Sequence, residues 1–170
     1  MILRIYLILT ILILSCKISI AEDIPIIVIT ASKKPQSLST VGTSVTILDE
    51  KFFNETNEYF LGDALASTTT SSNFFQTGGH GTTSSIQLRG MPKRYSTVYI
   101  DGVKMSDPSS VSNDFDFNNI LTSQVSRVEI LKGNQSSVYG SGAIGGTIHV
   151  TTKKGEPGFK KDVSYTTGSY

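Results

Sequence analysis

Alternating apolar and polar residues along this chain predict a set of short β-strands. The alternation is clearest in residues 127–154, which read RVEILKGNQSSVYGSGAIGGTIHVTTKK. Both limbs of this stretch have the period of half-buried strands, and a run of small residues separates them. The five glycines from Gly133 to Gly146 indicate backbone with positive φ or a close approach to another surface, since only glycine allows either without steric cost. We therefore predict two strands joined by a glycine-rich crossing that packs against something else.

The remaining pattern predicts short elements separated by polar segments. Asp49 and Asn57 stand where helix N-caps are expected, because their side chains can accept hydrogen bonds from the free N–H groups of a first turn. The predicted strands are residues 43–48, 86–90, 97–102 and 161–170, with a further extended piece from Phe74. The predicted helices are 50–54, 58–66 and a short one within 116–123, capped by Asp116 or Asn118. The predicted loops are 78–85 and 103–113. With 170 residues, of which 38% are hydrophobic and 17% charged, the chain is expected to form one globular domain.

Residues 1–21 have the organisation of a secretory signal peptide. Arg4 precedes an apolar run over residues 5–14, and an S-x-A site ends at Ala21, after which we predict cleavage. The apolar run is shorter than the roughly 20 residues that span a bilayer. The alternative is a lipoprotein in which Cys16 carries the lipid, although the leucine before the small residue fits that motif poorly. Either way the chain is expected to be exported.

The charge balance narrows the range of partners. Cleavage leaves 13 basic and 14 acidic residues, a net charge of −1, and it removes the one cysteine. A balanced charge offers no electrostatic footprint for nucleic acid or for an anionic membrane surface. We therefore expect no nucleic-acid partner, and no disulfide in the exported chain.

Residues 22–31, which read EDIPIIVITA, form an isolated apolar and β-branched segment. One interpretation makes it the first strand of the domain. The other makes it an extended peptide on a flexible tether, which adds a strand to the edge of a partner's sheet. Pro25 removes a ladder donor, and the segment SKKPQSLST that follows lacks a tight-turn signal that would fold the peptide back. Spacing alone leaves both interpretations open.

Motifs that suggest enzyme chemistry lack the context that the chemistry needs. Gly140, Gly142 and Gly145 match the G-x-G-x-x-G dinucleotide fingerprint, but a β-branched strand follows them where a helix should hold the pyrophosphate. Residues 114–118 have the first spacings of a calcium loop, without its glycine and its bidentate glutamate. Neither histidine has a cysteine or carboxylate at ligand spacing. We therefore expect no catalytic residues, no cofactor, no metal site and no enzyme activity.

Longer motifs identify a family. LRG, TVYIDGVKM and VSRVEILKGNQSSVYGSGAIGGTIHVTTK follow one another in the order and at the spacing of the plug domain of TonB-dependent outer-membrane receptors, which the chain resembles over residues 23–170. The resemblance implies an α+β fold, a small mixed-sheet plug domain with short helices that sits inside a large transmembrane β-barrel. It divides the chain into a signal peptide (1–21), a TonB box with its linker (22–42), the plug domain (43–158) and the start of the first barrel strand (159–170).

The resemblance also implies functional residues. The TonB box, which pairs with the periplasmic domain of TonB, corresponds to Ile26, Ile27, Val28, Ile29, Thr30 and Ala31, so the family likeness favours strand addition. The loops that face the transported ligand correspond to Thr77, Gly78, Gly79, His80, Gly81, Thr82 and Thr83, and to Ser106, Asp107, Ser109 and Ser110. The residues that contact the inner barrel wall correspond to Arg89 and Lys132, and the glycine-rich crossing is expected to pack close to the same wall.

The function implied by the resemblance is energised uptake of a scarce ligand across the outer membrane, such as cobalamin or a metal chelate. The sequence VITAS in the TonB box and the overall spacing are most similar to the cobalamin-receptor branch. Two positions depart from the family pattern, since Asn134 replaces a proline and His149 replaces an asparagine. Without that proline, one fixed φ is lost from the turn.

Length is the largest departure from the family. A barrel strand takes about 9–11 residues, and residues 161–170 are the one segment that could supply such a strand. We therefore expect a fragment, a plug with the opening strand of a barrel that these residues do not encode. The alternative is a free-standing periplasmic binding module with the plug fold.

Overall fold

The computed structural model describes residues 27–28, 30–31, 33–68, 72–79, 82–112, 115–117, 119–155, 157–159, 161 and 163. Within them the strands are β1 (Ile27–Val28), β2 (Gln36–Ser37), β3 (Ser44–Leu48), β4 (Ser72–Gln76), β5 (Ser84–Leu88), β6 (Ser96–Ile100), β7 (Val103–Met105), β8 (Val125–Lys132) and β9 (Gly146–Thr152). The α-helices are α1 (Glu50–Glu55), α2 (Leu61–Thr68) and α3 (Ser136–Tyr139), with 3-10 turns at Leu38–Thr40, Lys93–Tyr95, Thr122–Gln124 and Ser141–Ala143. The predicted signal peptide and most of the predicted strand at 161–170 lie outside these residues. None of the helices in the described part of the chain is long and apolar enough to cross a membrane.

A five-stranded mixed sheet forms the centre of the domain. Its strands follow the order β3-β8-β9-β6-β7, in which β6 and β9 are parallel and the other neighbours are antiparallel. Strands β1 and β2 form one two-stranded sheet, and β4 and β5 form another. The predicted α+β fold with a small mixed sheet and short helices is therefore confirmed.

The register of the sheet fixes where the chain enters and leaves it. Ser44 at the start of β3 lies opposite Lys132, which in turn lies opposite Gly146. Leu48, at the other end of β3, lies opposite Val128. The chain therefore enters the sheet at one end and leaves it, after β9, at the opposite end.

One face of the sheet carries the hydrophobic core. Val98, Val128, Ile130, Ile148 and Val150 are each at most 2% exposed and point to this face with the alternation that the sequence predicts. They pack with side chains from α1 and α2 and with the segment before the turn at 122–124, namely Phe53, Leu61, Leu65 and Phe117. The alternation of apolar and polar residues along the strands thus gives the sheet one apolar face, and the helices pack on that face.

The second face of the sheet is polar where the first is apolar. Glu129, His149 and Tyr99 lie opposite one another on the neighbouring strands β8, β9 and β6, so their side chains form one cross-strand row. Glu129 is only 4% exposed, and Tyr139 from α3 is also buried. This row is the floor of the first candidate site described below.

Helix α1 begins where the sequence predicts, and helix α2 does not. Asp49 caps α1, since its carboxylate accepts a hydrogen bond from the Phe52 N–H. The cap predicted at Asn57 is wrong, because the backbone after it is engaged by residues 120–122. The Leu61 N–H donates to the carbonyl of Ile120 at 2.9 Å, and the residue before Leu61 bridges to residue 121. The helix therefore starts only at Leu61.

Two other predicted elements differ from the structure. Residues 103–105, predicted as loop, form β7, because Asp101 (φ 48°) and Gly102 (φ 84°) make the two-residue turn that closes a hairpin with β6. The short helix predicted within 116–123 is replaced by the 3-10 turn at 122–124. The carboxylate of Asp116 accepts hydrogen bonds from Ser84 instead of capping a helix.

The glycine-rich crossing between β8 and β9 packs against the connection from β5 to β6. Gly145 donates its N–H to the carbonyl of Tyr95 at 2.9 Å, and a Cβ on Gly145 would lie 3.1 Å from the Cβ of Met91. Gly146 has a φ of 146°, and a Cβ there would lie 2.3 Å from the carbonyl oxygen of Leu131. The predicted close approach is therefore confirmed, against this chain's own backbone, and packing against a barrel wall stays a prediction. Helix α3 within the crossing was not predicted.

Candidate functional site

The N-terminal segment folds back onto the domain. In the β1–β2 pair, Ile27 lies opposite Ser37 and Val28 lies opposite Gln36, and Val28 is fully buried. Spacing left two interpretations open, and the described residues show the segment paired within the chain although no tight-turn signal follows it. The turn includes Lys33 at a φ of 58°, a conformation that sequence patterns associate with glycine or asparagine rather than lysine.

Thr30 is held by three hydrogen bonds, two to the polar face of the sheet and one to helix α3. Its backbone N–H and its hydroxyl both donate to Oε2 of Glu129, at 3.2 Å and 2.6 Å. The Tyr139 hydroxyl donates to the carbonyl oxygen of Thr30. The other carboxylate oxygen of Glu129 accepts from Nε of Arg127 at 2.8 Å, so the buried charge is paired. We call the contacts of Thr30 with Glu129 and Tyr139 the polar latch.

Burial sets the ionisation of the groups around the polar latch. It raises the pKa of Tyr139 to about 12, with smaller contributions from Tyr99 and Glu129, so the phenol stays protonated and donates at neutral pH. Burial also lowers the pKa of His149 to about 4, against the opposing effect of Glu129. The neutral imidazole stacks on Tyr99 with ring centroids 4.7 Å apart, and its buried Nε2 has no hydrogen-bond partner in the described part of the chain.

We call residues 27–28 and 30–31, which lie against the domain, the docked segment. A groove of about 550 Å³ lies between the docked segment and the sheet. Thr30 and Lys33 line one side of it, and Tyr99, Tyr139 and His149 line the other. The Lys33 ammonium lies 5.2 Å from the centroid of the Tyr139 ring, within the range of a cation–π contact. Among the described residues no three histidine, cysteine, aspartate or glutamate side chains cluster as metal ligands.

The structure therefore describes four of the six residues predicted to bind TonB. Ile27, Val28, Thr30 and Ala31 lie in or beside the docked segment, whereas Ile26 and Ile29 lie outside the described residues. That these residues pair with TonB stays a prediction.

The two predicted ligand-facing loops have local hydrogen bonds of their own. In the loop at 77–83 the Thr77 N–H donates to the Thr83 carbonyl, and the Thr82 N–H donates to the Gly79 carbonyl, each at 3.2 Å. Gly78 is exposed, while His80 and Gly81 lie outside the described residues.

The second loop contains the predicted residues Ser106, Asp107, Ser109 and Ser110. Oδ1 of Asp107 accepts from the N–H and the hydroxyl of Ser109, at 2.9 Å and 2.6 Å. Like the first loop, this loop contains hydrogen bonds between its own residues.

A bond between residues just outside the two loops joins them. Oδ1 of Asp116 accepts from both the N–H and the hydroxyl of Ser84, at 3.0 Å each, and that hydroxyl accepts from the Phe117 N–H at 3.2 Å. Ser84 follows the loop at 77–83 directly, and Asp116 lies shortly after the loop at 106–110. The structure therefore brings the ends of the two loops together, and their contact with a ligand stays a prediction.

Arg89 and Lys132, predicted to contact a barrel wall, lie side by side. A Cβ on Gly133 would lie 3.1 Å from Nη1 of Arg89, and both cations line a polar cavity of about 210 Å³. Burial, followed by the positive charge of Arg89, lowers the pKa of Lys132 below its ordinary value. The structure brings the pair together, and the wall contact stays a prediction.

Sequence reasoning named Thr30 and missed its two partners in the polar latch. The sequence could have indicated Glu129, because it is a charged residue between apolar neighbours and so lies on the opposite face of its strand. No local sequence pattern indicates the role of Tyr139, because its partner Thr30 is 109 residues away along the chain.

Comparison with known families identifies the fold. Residues 37–147 match the family model described as TonB-dependent receptor plug domain. That range includes the five-stranded sheet up to the start of β9, both loops, Glu129 and Tyr139, and it begins just after the docked segment.

Solved receptor structures contain the same fold. The ferric yersiniabactin uptake receptor FyuA from Yersinia pestis is 25% identical with a TM-score of 0.51, over 68% of this chain and 18% of that one. The siderophore receptor PiuA from Acinetobacter baumannii is 25% identical with a TM-score of 0.54, over 72% of this chain and 16% of that one. FpvA of P. aeruginosa, bound to heterologous pyoverdines, is 18% identical with a TM-score of 0.57, over 75% and 16%, which shows the fold alone. The chain therefore spans less than a fifth of the length of these receptors.

Proposed function

Because this chain belongs to the family of TonB-dependent receptor plug domains, we propose that it is the gate and ligand-sensing plug of an outer-membrane receptor for energised uptake. The observation that carries the proposal is the family match over residues 37–147, which directly follows a strand-forming apolar segment. The role is one of transport and not of catalysis.

A metal chelate is the ligand class that the comparisons favour. FyuA is a ferric yersiniabactin receptor and PiuA is a siderophore receptor, and both resemble this chain at 25% identity. Cobalamin, to which the VITAS sequence of the N-terminal segment points, is the second class. In either case the ligand binds over the loops at 77–83 and 106–110.

The docked segment suggests how the gate is coupled to TonB. Val28 is fully buried and Thr30 donates its N–H to Glu129, so neither residue can pair with another sheet edge while the segment is docked. The segment must therefore leave the polar latch before it adds as a strand to the periplasmic domain of TonB. TonB then pulls the plug and opens a path.

Capture of this chain by the purified periplasmic domain of TonB tests the proposal. Val28→Pro removes a ladder donor within the predicted TonB-binding residues, and capture should fall at least about tenfold. Gln36→Pro is the matched control, because it disturbs the β1–β2 pair from the other strand, outside those residues. It should leave capture unchanged or stronger. If the Val28 variant is captured as well as the unaltered chain, the proposal is wrong.

A free-standing periplasmic binding module is the second candidate. It is favoured by one observation, that the chain's own residues bury the apolar face of its central sheet. Fractionation of cells that express the gene decides between the two, since a plug within a receptor sediments with the outer membrane and a free module stays in the periplasmic extract.

A further inference from the structure

A small polar cavity lies where β6 begins and β7 ends. Its volume is about 60 Å³, and its polar lining consists of Arg94, Lys104 and the hydroxyl residues Ser96, Thr97 and Ser112. A water molecule needs about 10–15 Å³ in the same measure, so the cavity has room for a group of about four or five non-hydrogen atoms. This is the size of a carboxylate or of a similar oxyanion group.

The absence of a side chain at Gly142 opens this cavity. A Cβ at that position would lie 3.1 Å from Oγ1 of Thr97, 3.9 Å from the carbonyl oxygen of Arg94 and 4.0 Å from Nζ of Lys104. Unlike Gly146, Gly142 does not have a positive φ, so its backbone conformation is open to any residue. Glycine here provides space between a hydroxyl and an ammonium group.

The groups around this space are suited to a negative charge. Guanidinium and ammonium groups only donate hydrogen bonds. Nζ of Lys104 lies beside this space, and the Arg94 guanidinium lies 5.1 Å from the centroid of the Tyr95 ring. Neither cation forms an ion pair within the described part of the chain, and no acidic side chain is among the described residues that line the cavity. Oγ1 of Thr97 also lies beside this space and can donate a hydrogen bond to an acceptor there.

The cavity adjoins both predicted ligand-facing loops. Ser112 and Phe115 line it and lie within five residues after the loop at 106–110. Asp116, the next residue, binds Ser84 at the end of the other loop. A ligand that rests on the two loops can therefore extend one group into the cavity.

We propose that this cavity is an anion subsite that takes an oxyanion group of the transported ligand, with Arg94 and Lys104 as the residues that select it. The inference rests on the proposed function and deepens it, since it makes the preferred ligand a negatively charged metal chelate. Because the cavity holds a single such group, the remainder of the chelate lies over the loops.

Two model chelates of one metal test the charge selectivity. Ferric citrate is anionic, and the ferric complex of three acetohydroxamate ligands is neutral. Each is titrated into the full chain and followed by two-dimensional NMR to millimolar concentration. Ferric citrate is paramagnetic and should broaden the amide signals of Thr97 and Gly142, and its dissociation constant should be at least about tenfold lower than that of the neutral complex.

Two variants localise the effect. Arg94→Gln combined with Lys104→Gln should weaken ferric citrate binding at least tenfold, and Gly142→Ala should weaken it as much by filling the space. Lys51→Gln combined with Lys161→Gln is the matched control, because it removes the same charge from remote positions. Thermal denaturation of each variant identifies any loss of fold. If Gly142→Ala unfolds, the double variant at the exposed positions 94 and 104 still tests the proposal.

The proposal is overturned if the unaltered chain does not bind ferric citrate, or if the double variant at positions 94 and 104 binds it equally well. An equal loss in the remote control would show general charge attraction only and would also overturn it. Capture by TonB is independent of these residues. If the Val28→Pro test fails and citrate selectivity is retained, the coupling to TonB is refuted and the anion site remains without a transported ligand. The converse result refutes the subsite alone.

Discussion

Thr30 donates both its backbone N–H and its hydroxyl to a single carboxylate oxygen of Glu129, although 99 residues separate the two along the chain. The contact joins the segment predicted to bind TonB to the second strand of the central sheet. Because the acceptor is charged and only 4% exposed, its hydrogen bonds are of the strong kind. The docked state of the N-terminal segment therefore depends on Glu129.

Replacing Glu129 should release the docked segment. Glu129→Gln keeps the size of the side chain and removes its charge, which should weaken docking by about 1–2 kcal/mol, a factor of roughly 5 to 30 in the docked population. Capture by TonB and protease cleavage between residues 27 and 36 should both increase. Glu50→Gln removes the same charge from an exposed position and should change neither. Unchanged cleavage in the Glu129 variant would contradict the latch.

The stability of the domain should decrease in mild acid because of His149. Its pKa is about 4 in the folded chain, lowered by burial, and 6.5 in the unfolded chain. Since the unfolded chain binds the extra proton, the stability contributed by the neutral imidazole is complete above pH 6.5 and is lost as the pH falls towards 4. The slope is at most about 1.4 kcal/mol per pH unit. In urea unfolding between pH 7 and 5, His149→Phe, which retains an aromatic ring against Tyr99, should reduce this dependence. An identical pH profile would rule out His149 as its source.

Gly146 should tolerate no side chain. A Cβ there would lie 2.3 Å from the Leu131 carbonyl oxygen and 2.7 Å from Cδ1 of Leu88, at a φ that L-residues rarely adopt. Gly146→Ala should therefore lower the free energy of unfolding by about 3 kcal/mol or more, as measured by urea denaturation. Gly155→Ala is the control, since nothing lies within 4 Å of its Cβ, and its effect should stay within about 0.5 kcal/mol. Equal stabilities of the two variants would show that the packing of β9 against β8 is different.

Lys132 should reduce the stability of this chain at neutral pH. Burial and the nearby Arg89 disfavour its charged form, so Lys132→Met should raise the free energy of unfolding. The pKa of Lys132 is lower in the folded chain, so the unaltered protein gains stability as its ammonium deprotonates, and the advantage of methionine should shrink as the pH approaches 10.5. Lys154→Met, at an exposed position, serves as control. A destabilised Lys132 variant would show that the ammonium supports the fold of this chain.

The sequence correctly predicted those elements that depend only on residues close together in the chain. The alternation in 127–154 correctly placed β8 and β9, and Asp49 correctly marked the start of α1. The glycines of the crossing correctly indicated a close approach, because positive φ and missing side chains are properties of single residues. The family likeness, carried by long motifs, was confirmed by the match over residues 37–147.

The errors have long-range causes. Asn57 has the chemistry of a cap, but pairing with residues 120–122 delays the helix to Leu61. Asp116 also has that chemistry, and Ser84, 32 residues away, takes its carboxylate. The docked N-terminal segment depends on Glu129 and Tyr139, partners that no window of local sequence contains.

The opposite positions at which the chain enters and leaves the central sheet have a mechanical consequence. Tension applied between the residues before Ser44 and those after Thr152 runs along the strands, because these points lie at opposite ends of the β3–β8–β9 register. Such a load shears the β3–β8 ladder, so that the hydrogen bonds of all five residues of β3 resist together and do not open one by one. The β1–β2 pair, with two residues in each strand, yields first. A pull on the N-terminus therefore breaks the polar latch and the β1–β2 pair first and meets its main resistance at β3.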